Sequence, residues 1–214
     1  EEPWRRWEHK YDWRQQPLGK IASDRLGIEY HERRPRLASE FTHGSVQQKA
    51  PHVVIATQST AQAKYWNNPT GWQELAEWYL GQGIQVYHAS KEGQAPEGST
   101  QLPEDRATVA ADMRSAKHFI GISSGLSWFA WALGVEVIMV SGFTDPYMEF
   151  QQDCHYVNNH QVCHGCWGTR VFDRNDWNWC PDWKGTARHF ECTKQISSER
   201  VIKVAENLLI KQHV

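Results

Sequence analysis

No run in this chain approaches the ~18 consecutive apolar residues that a membrane-crossing helix needs, so no membrane span is expected. There is no long basic arm either. With 23 Lys and Arg against 25 Asp and Glu, the formal net charge is -2. A phosphate backbone calls for clustered cations, so nucleic acid is not expected as a partner. The opening Glu1-Glu2-Pro3-Trp4-Arg5-Arg6 lacks the apolar core of a signal peptide, and the expectation is a soluble, cytoplasmic protein. An initiating Met is also missing, which reads as a processed product or part of something longer. Residues 1–50 lack a sustained apolar period and carry the charged stretch Glu32-Arg33-Arg34-Pro35-Arg36. They read as an extended arm or interdomain connection with at most one short helix.

Tryptophan, by contrast, is abundant: 12 in 214 residues, with a dense group at Trp167, Trp177, Trp179 and Trp183. Rings of this kind in a loop-rich stretch are read as packing over a cluster or filling an interface. The length suits one full domain with a sizeable core and an appendage, and falls short of two complete Rossmann-type domains.

Regular structure is expected over 51–214. The run His52-Val53-Val54-Ile55-Ala56-Thr57 has the character of a short buried strand. Asn67-Asn68-Pro69-Thr70-Gly71 opens a helix with Trp72, Leu75, Ala76 and Tyr79 on its apolar face, closed by Gly81 and Gly83. Strands follow at 84–88, 118–122 and 137–140, with helices at 103–115 and from within the unit 121–127 to about 133, the latter stopped by Gly134. A last amphipathic helix spans 197–212. Alternation of this kind implies an α/β fold, a Rossmann-like parallel sheet with right-handed crossovers.

The turn Ser123-Ser124-Gly125-Leu126-Ser127 joins a buried strand to a helix. It brings free backbone N–H groups and the positive end of a helix dipole together, which is an anion site. Gly125 permits close approach, and Ser123, Ser124 and Ser127 offer hydroxyls; the plainer reading is a capped helix. Lys64, just past the first strand, would project from the same carboxyl edge, where open α/β sheets bind ligands. A Lys there offers a point charge to a diphosphate, and Thr60 a hydroxyl. A lone Lys would read as a solvated surface charge.

Four of the five cysteines fall at Cys163, Cys166, Cys180 and Cys192, with Cys154 left over. A CxxC pair with two further thiols has the composition of a tetrahedral four-thiolate site, one zinc or iron per chain. The expected segment, about 154–195, has few periodic features, and the metal is expected to hold it folded, contributing on the order of 10 kcal/mol. The pair Cys163-His164-Gly165-Cys166 is followed by Trp167, so it is not a haem-attachment motif.

Three blocks in order, Gln58-Ser59-Thr60-Ala61-Gln62-Ala63-Lys64-Tyr65-Trp66-Asn67-Asn68-Pro69, then Gly121 to Trp128 with Thr144-Asp145-Pro146, then the four cysteines, resemble the bacterial autotransporter heptosyltransferases, relatives of glycosyltransferase family nine. The resemblance covers about 50–212. It implies the C-terminal, donor-binding half of a two-domain GT-B enzyme that moves heptose from ADP-heptose onto Ser or Thr hydroxyls of an autotransporter adhesin, with inversion. It also implies bound iron, with zinc as the alternative, and a large homo-oligomer. By position, Lys64 would meet the donor phosphates, and Ser123, Ser124, Gly125, Leu126 and Ser127 would cradle the diphosphate. No catalytic base is named, since in the family that Asp belongs to the N-terminal domain; in the lipopolysaccharide relatives an Asp often stands where this chain has Ser123. The other reading is a non-catalytic module, a thiolate-metal protein that keeps a sugar-nucleotide fold for assembly or binding.

Overall fold

The computed structural model describes residues 13–43, 49–90 and 95–211. Six strands, β1 (His52–Ile55), β2 (Gln85–His88), β3 (Thr100–Gln101), β4 (Phe119–Ile122), β5 (Val137–Val140) and β6 (Cys154–Val157), form one sheet. Every pairing is parallel, and the order is β3-β2-β1-β4-β5-β6. The three strands β1, β4 and β5 are buried at every position, as their unbroken apolar runs require of a sheet covered on both faces.

Alternate residues divide between the two faces. On one, Val53, Ile55, Ile120, Ile122, Ile138 and Val140 pack with Leu75, Ala76 and Tyr79 of α3 (Gly71–Gly81) and Val201, Ala205 and Leu208 of α8 (Ser198–Lys211). On the other, Val54, Phe119, Val137 and Met139 meet Val109 and Met113 of α4 (Arg106–Ser115) and Ala130 and Trp131 of α5 (Gly125–Ala132). Each fully buried Val or Ile contributes about 1.5–3 kcal/mol relative to exposure.

Local chemistry sets the helix ends. Asp105 caps α4 by accepting the Thr108 N–H at 2.8 Å, so the helix starts three residues after the expected Pro103. Gly134 leaves α5 with φ of 85°, where only glycine is unstrained.

Chain order reverses beside β1: the chain builds outward to β2 and β3, then returns to β4 on the other side. That reversal makes a crevice between the carboxyl ends of β1 and β4, the topological switch point of a doubly wound sheet.

Two strands go beyond the sequence reading. β6 is short and polar, as an edge strand can be, and it carries Cys154, the cysteine outside the other four. β3 has two residues. The N-terminal region also differs from the expectation of at most one helix, since α1 (Leu18–Leu26) and α2 (Ser39–Thr42) both form. This region is strapped to the loop before β6. The Glu32 carboxylate accepts the N–H groups of Gln151 and Gln152 at 2.9 and 2.8 Å, and Arg34 pairs with Asp153. Arg114 of α4 donates to the Phe41 carbonyl at 3.0 Å, with Phe41 edge-on to Phe129. No helix among the described residues is long and apolar enough to cross a membrane.

Candidate functional site

The switch-point crevice is a cavity of about 890 Å³, large enough for a nucleotide. Gln58, Ser59 and Thr60 leave β1 into its wall, and Ser124, Gly125 and Leu126 face them from the start of α5. Gln101, Glu104 and Arg106 close the side toward β3 and α4, with Phe41 and Phe129 as apolar wall. Gln101 is rigidly held: its Nε2 donates to the carbonyls of His88 and Ser90, both at 3.0 Å, while its Oε1 lies 2.7 Å from His88 Nδ1. Burial lowers the His88 pKa, so this imidazole is neutral and serves as a brace. No sequence signal singled out Gln101, Glu104 or Arg106; pairing of β3 with β2 brings them here.

At the turn before α5 the three hydroxyls have different duties. Ser123 donates to Glu149 Oε1 at 2.5 Å, and Ser127 donates to the Ile122 carbonyl at 2.6 Å. Both serines are buried, so they shape the turn from inside. Ser124 Oγ is buried without a partner. The first-turn N–H groups have no intrahelical acceptor, and a Cβ on Gly125 would meet open space. Backbone donors, Ser124 and bare Gly125 therefore make up the ligand-facing surface.

Of the expected donor residues, Thr60, Ser124, Gly125 and Leu126 share the cavity wall. Lys64 stands off it, in the 3-10 turn Gln62–Lys64, with Nζ 5.9 Å from the centre of the Phe143 ring. Desolvation pushes the Lys64 pKa down, and the Glu149 charge opposes that. Glu149 is 1% exposed. Besides Ser123 it accepts Thr144 Oγ1 and Trp128 Nε1, both at 2.9 Å. Sequence reasoning missed Glu149, because a single Glu in Tyr147-Met148-Glu149-Phe150 carries no pattern.

The expected four-cysteine metal set is corrected by the structure. Four thiolates about 2.3 Å from one ion would stand about 3.8 Å from each other. Among the described residues, the group whose ligand atoms all lie within 4.8 Å is instead Asp145, His160 and His164. None of the five cysteines is in a disulfide. Desolvation first, then Glu191 beside Cys163 and the other cysteines beside Cys166 and Cys192, pushes Cys163 and Cys192 up to about 12 and Cys166 to about 11. An aromatic cluster organises the segment instead. Phe143 packs against Trp167, Phe172 and Trp179 at 5.5 to 5.9 Å between ring centres, with Cys180 and Phe190 buried alongside. Trp167, Trp179 and Trp183 thus pack as expected of that group, while Trp177 is half exposed and edge-on to Tyr65.

In the Asp145, His160 and His164 group, His164 Nδ1 lies 2.8 Å from the Val162 carbonyl. That contact places its proton on Nδ1 and leaves the Nε2 lone pair facing His160 Nδ1 at 2.9 Å and Asp145 Oδ1 at 3.9 Å. A Cβ on Gly165 would fall 2.3 Å from Asp145 Oδ2, so only glycine admits the carboxylate there. Two imidazoles and a carboxylate suit a zinc-like divalent ion with one open position.

A six-stranded parallel sheet with a cavity at its switch point is an α/β domain of GT-B-like fold. The dodecameric iron-containing glycosyltransferase TibC from enterotoxigenic Escherichia coli superimposes with a TM-score of 0.85 at 36% identity, over 94% of this chain and 55% of that one. The autotransporter heptosyltransferase BAHTCr of Citrobacter rodentium is 41% identical over 184 residues, 77% of this chain and 44% of the relative. An inactive relative, BimC of Burkholderia thailandensis, is 32% identical over 199 residues, 87% of this chain and 46% of its own length. No protein-family model matches the chain. The chain belongs to the bacterial autotransporter heptosyltransferase family, and it spans about half the length of the curated relatives it matches.

Proposed function

We propose that this chain is the donor-binding part of an inverting protein O-heptosyltransferase, holding ADP-heptose for transfer to Ser or Thr hydroxyls of an autotransporter protein within a homo-oligomer. The observation that carries this is the cavity at the switch point, where Thr60, Ser124, Gly125 and Leu126 meet. Adenosine lies beside Gln101, and the diphosphate lies at the turn before α5, with Lys64 supplying charge from its flank. Kinship with TibC and BAHTCr supports the sugar and the acceptor class. Residues 1–50 act as an arm on a nucleotide-sugar domain spanning 51–214. A cytoplasmic setting belongs to the same reading, since four cysteines crowded into residues 163–192 suit a reducing compartment. No residue of this chain is assigned as general base.

Calorimetry with ADP-heptose, ADP and a UDP-sugar tests the reading. ADP-heptose and ADP bind saturably and the UDP-sugar does not. Gly125→Phe, whose ring would grow into the cavity, abolishes binding and leaves Tm unchanged. Equal binding by parent and Gly125→Phe would overturn the assignment. The kinship with an inactive relative favours a second reading, a binding module without turnover. Saturable ADP-heptose binding with no heptose transfer to an adhesin by the native full-length protein would select it.

A further inference from the structure

We propose that Glu149 is a positioning residue of the donor site, the post on which the diphosphate turn is built. This rests on the donor-site reading above. A carboxylate at 1% exposure needs its lone pairs filled. Here each partner comes from a different part of the site: Ser123 from the end of β4, Trp128 from α5 and Thr144 from the loop after β5. One side chain therefore ties the two sides of the anion-binding turn to the neighbouring strand.

The same carboxylate acts on Lys64. Burial of the ammonium favours its neutral form, and the Glu149 charge favours the ammonium. Other titratable groups that feel Glu149 lie on β6. Cys154 is pushed up to about 12, mainly by desolvation, and Tyr156 is raised mainly by desolvation. Both are neutral through pH 7 to 10, and Glu32 of the arm acts on both of them. Lys64 is the partner whose charge changes the affinity for a diphosphate.

A diphosphate needs the ammonium, so affinity falls as pH rises through the Lys64 pKa. Replacing Glu149 with a neutral isostere removes what holds that pKa up, so the fall begins at lower pH. The test is ADP affinity by calorimetry from pH 7 to 10 on the full chain, for the parent, Glu149→Gln, Lys64→Arg and the double variant. Adenosine serves as the control ligand without phosphates. We expect Glu149→Gln to move the alkaline loss of ADP affinity down by about one pH unit and to leave adenosine affinity unchanged. Lys64→Arg, which does not titrate in this range, should show no alkaline loss, with or without Glu149.

Superimposable ADP profiles for parent and Glu149→Gln would overturn the proposal, as would an equal shift on the Lys64→Arg background. If Glu149→Gln does not fold, Thr144→Val removes one bond to the carboxylate. It should then weaken ADP several-fold and spare adenosine; equal loss of both would count against the positioning role. A parent that binds no ADP at all would instead bring down the donor-site reading.

Discussion

The sheet and the cysteine segment are built on opposite plans. In the sheet, each strand sends alternate residues into two different clusters, so Val53 and Val54 are neighbours in sequence and separated in the core. Between β6 and α8 there is little such alternation. Short helices, α6 (Cys166–Thr169) and α7 (Glu191–Lys194), interrupt a turn-rich path, and rings from distant positions meet around Phe143, itself on the loop leaving β5. The lesson is that periodic burial can be read along a chain, whereas a cluster assembled from loops is defined only by contacts across it.

The largest effect should come from the centre of that cluster. Phe143→Ala is expected to cost about 3–5 kcal/mol in denaturant unfolding, and Ile120→Ala in the sheet about 2–5 kcal/mol. The two should differ in reach, with Ile120→Ala lowering amide-exchange protection across the sheet and Phe143→Ala mainly in residues 158–195. Loss of protection throughout the chain in both variants would break the contrast. Chelator bears on the same contrast. If rings hold the segment, a chelating agent should leave its protection in place, while a structural thiolate site would have contributed on the order of 10 kcal/mol.

At the site, Lys64→Ala is expected to weaken ADP about tenfold, close to 1.4 kcal/mol, with adenosine unaffected. Equal affinity in parent and variant would remove the phosphate role. Zinc added to metal-free protein should bind in a way that His164→Ala weakens and Cys163→Ser leaves alone. The reverse pattern would break the assignment of the metal-capable group.

The smallest effect belongs to the sheet's side of the comparison. Asp105 is held below the usual carboxylate range by hydrogen bonds from Thr108. Its cap therefore stabilises above the unfolded carboxylate pKa and is lost as pH falls through the lower folded value. Asp105→Ala should lower Tm slightly at neutral pH, and the difference from the parent should close in acid. A difference that persists or grows in acid would show that the cap is not electrostatic.

Much of the fold was open to reading because its residues speak locally. Val137-Ile138-Met139-Val140 is apolar at every position, and a strand buried on both faces has no other composition available. Gly134 ends α5 through a backbone constraint that belongs to the residue itself, whereas Pro103 did not set the start of α4, which the Asp105 cap fixes at Arg106. The turn Ser123-Ser124-Gly125-Leu126-Ser127 announced itself for the same reason, and it does face Thr60 across the cavity. The polar edge strand Cys154-His155-Tyr156-Val157 was missed because its pairing with β5 supplies the order that its own side chains do not.

The amino-acid sequence by itself determined the alternation of strands and helices, the carboxyl-edge turn and the kinship, all of which depend on residues close together in the chain. Only the tertiary structure decided where charges and ligand atoms converge. The cysteines had metal-ligand spacing, yet the atoms within ligating distance belong to Asp145, His160 and His164. Ser123 looked like a phosphate donor, yet its proton goes to Glu149, 26 positions away. The physical reason is the same in both cases: coordination and buried hydrogen bonding depend on distances of a few ångströms between side chains, and spacing along a looped chain does not set those distances.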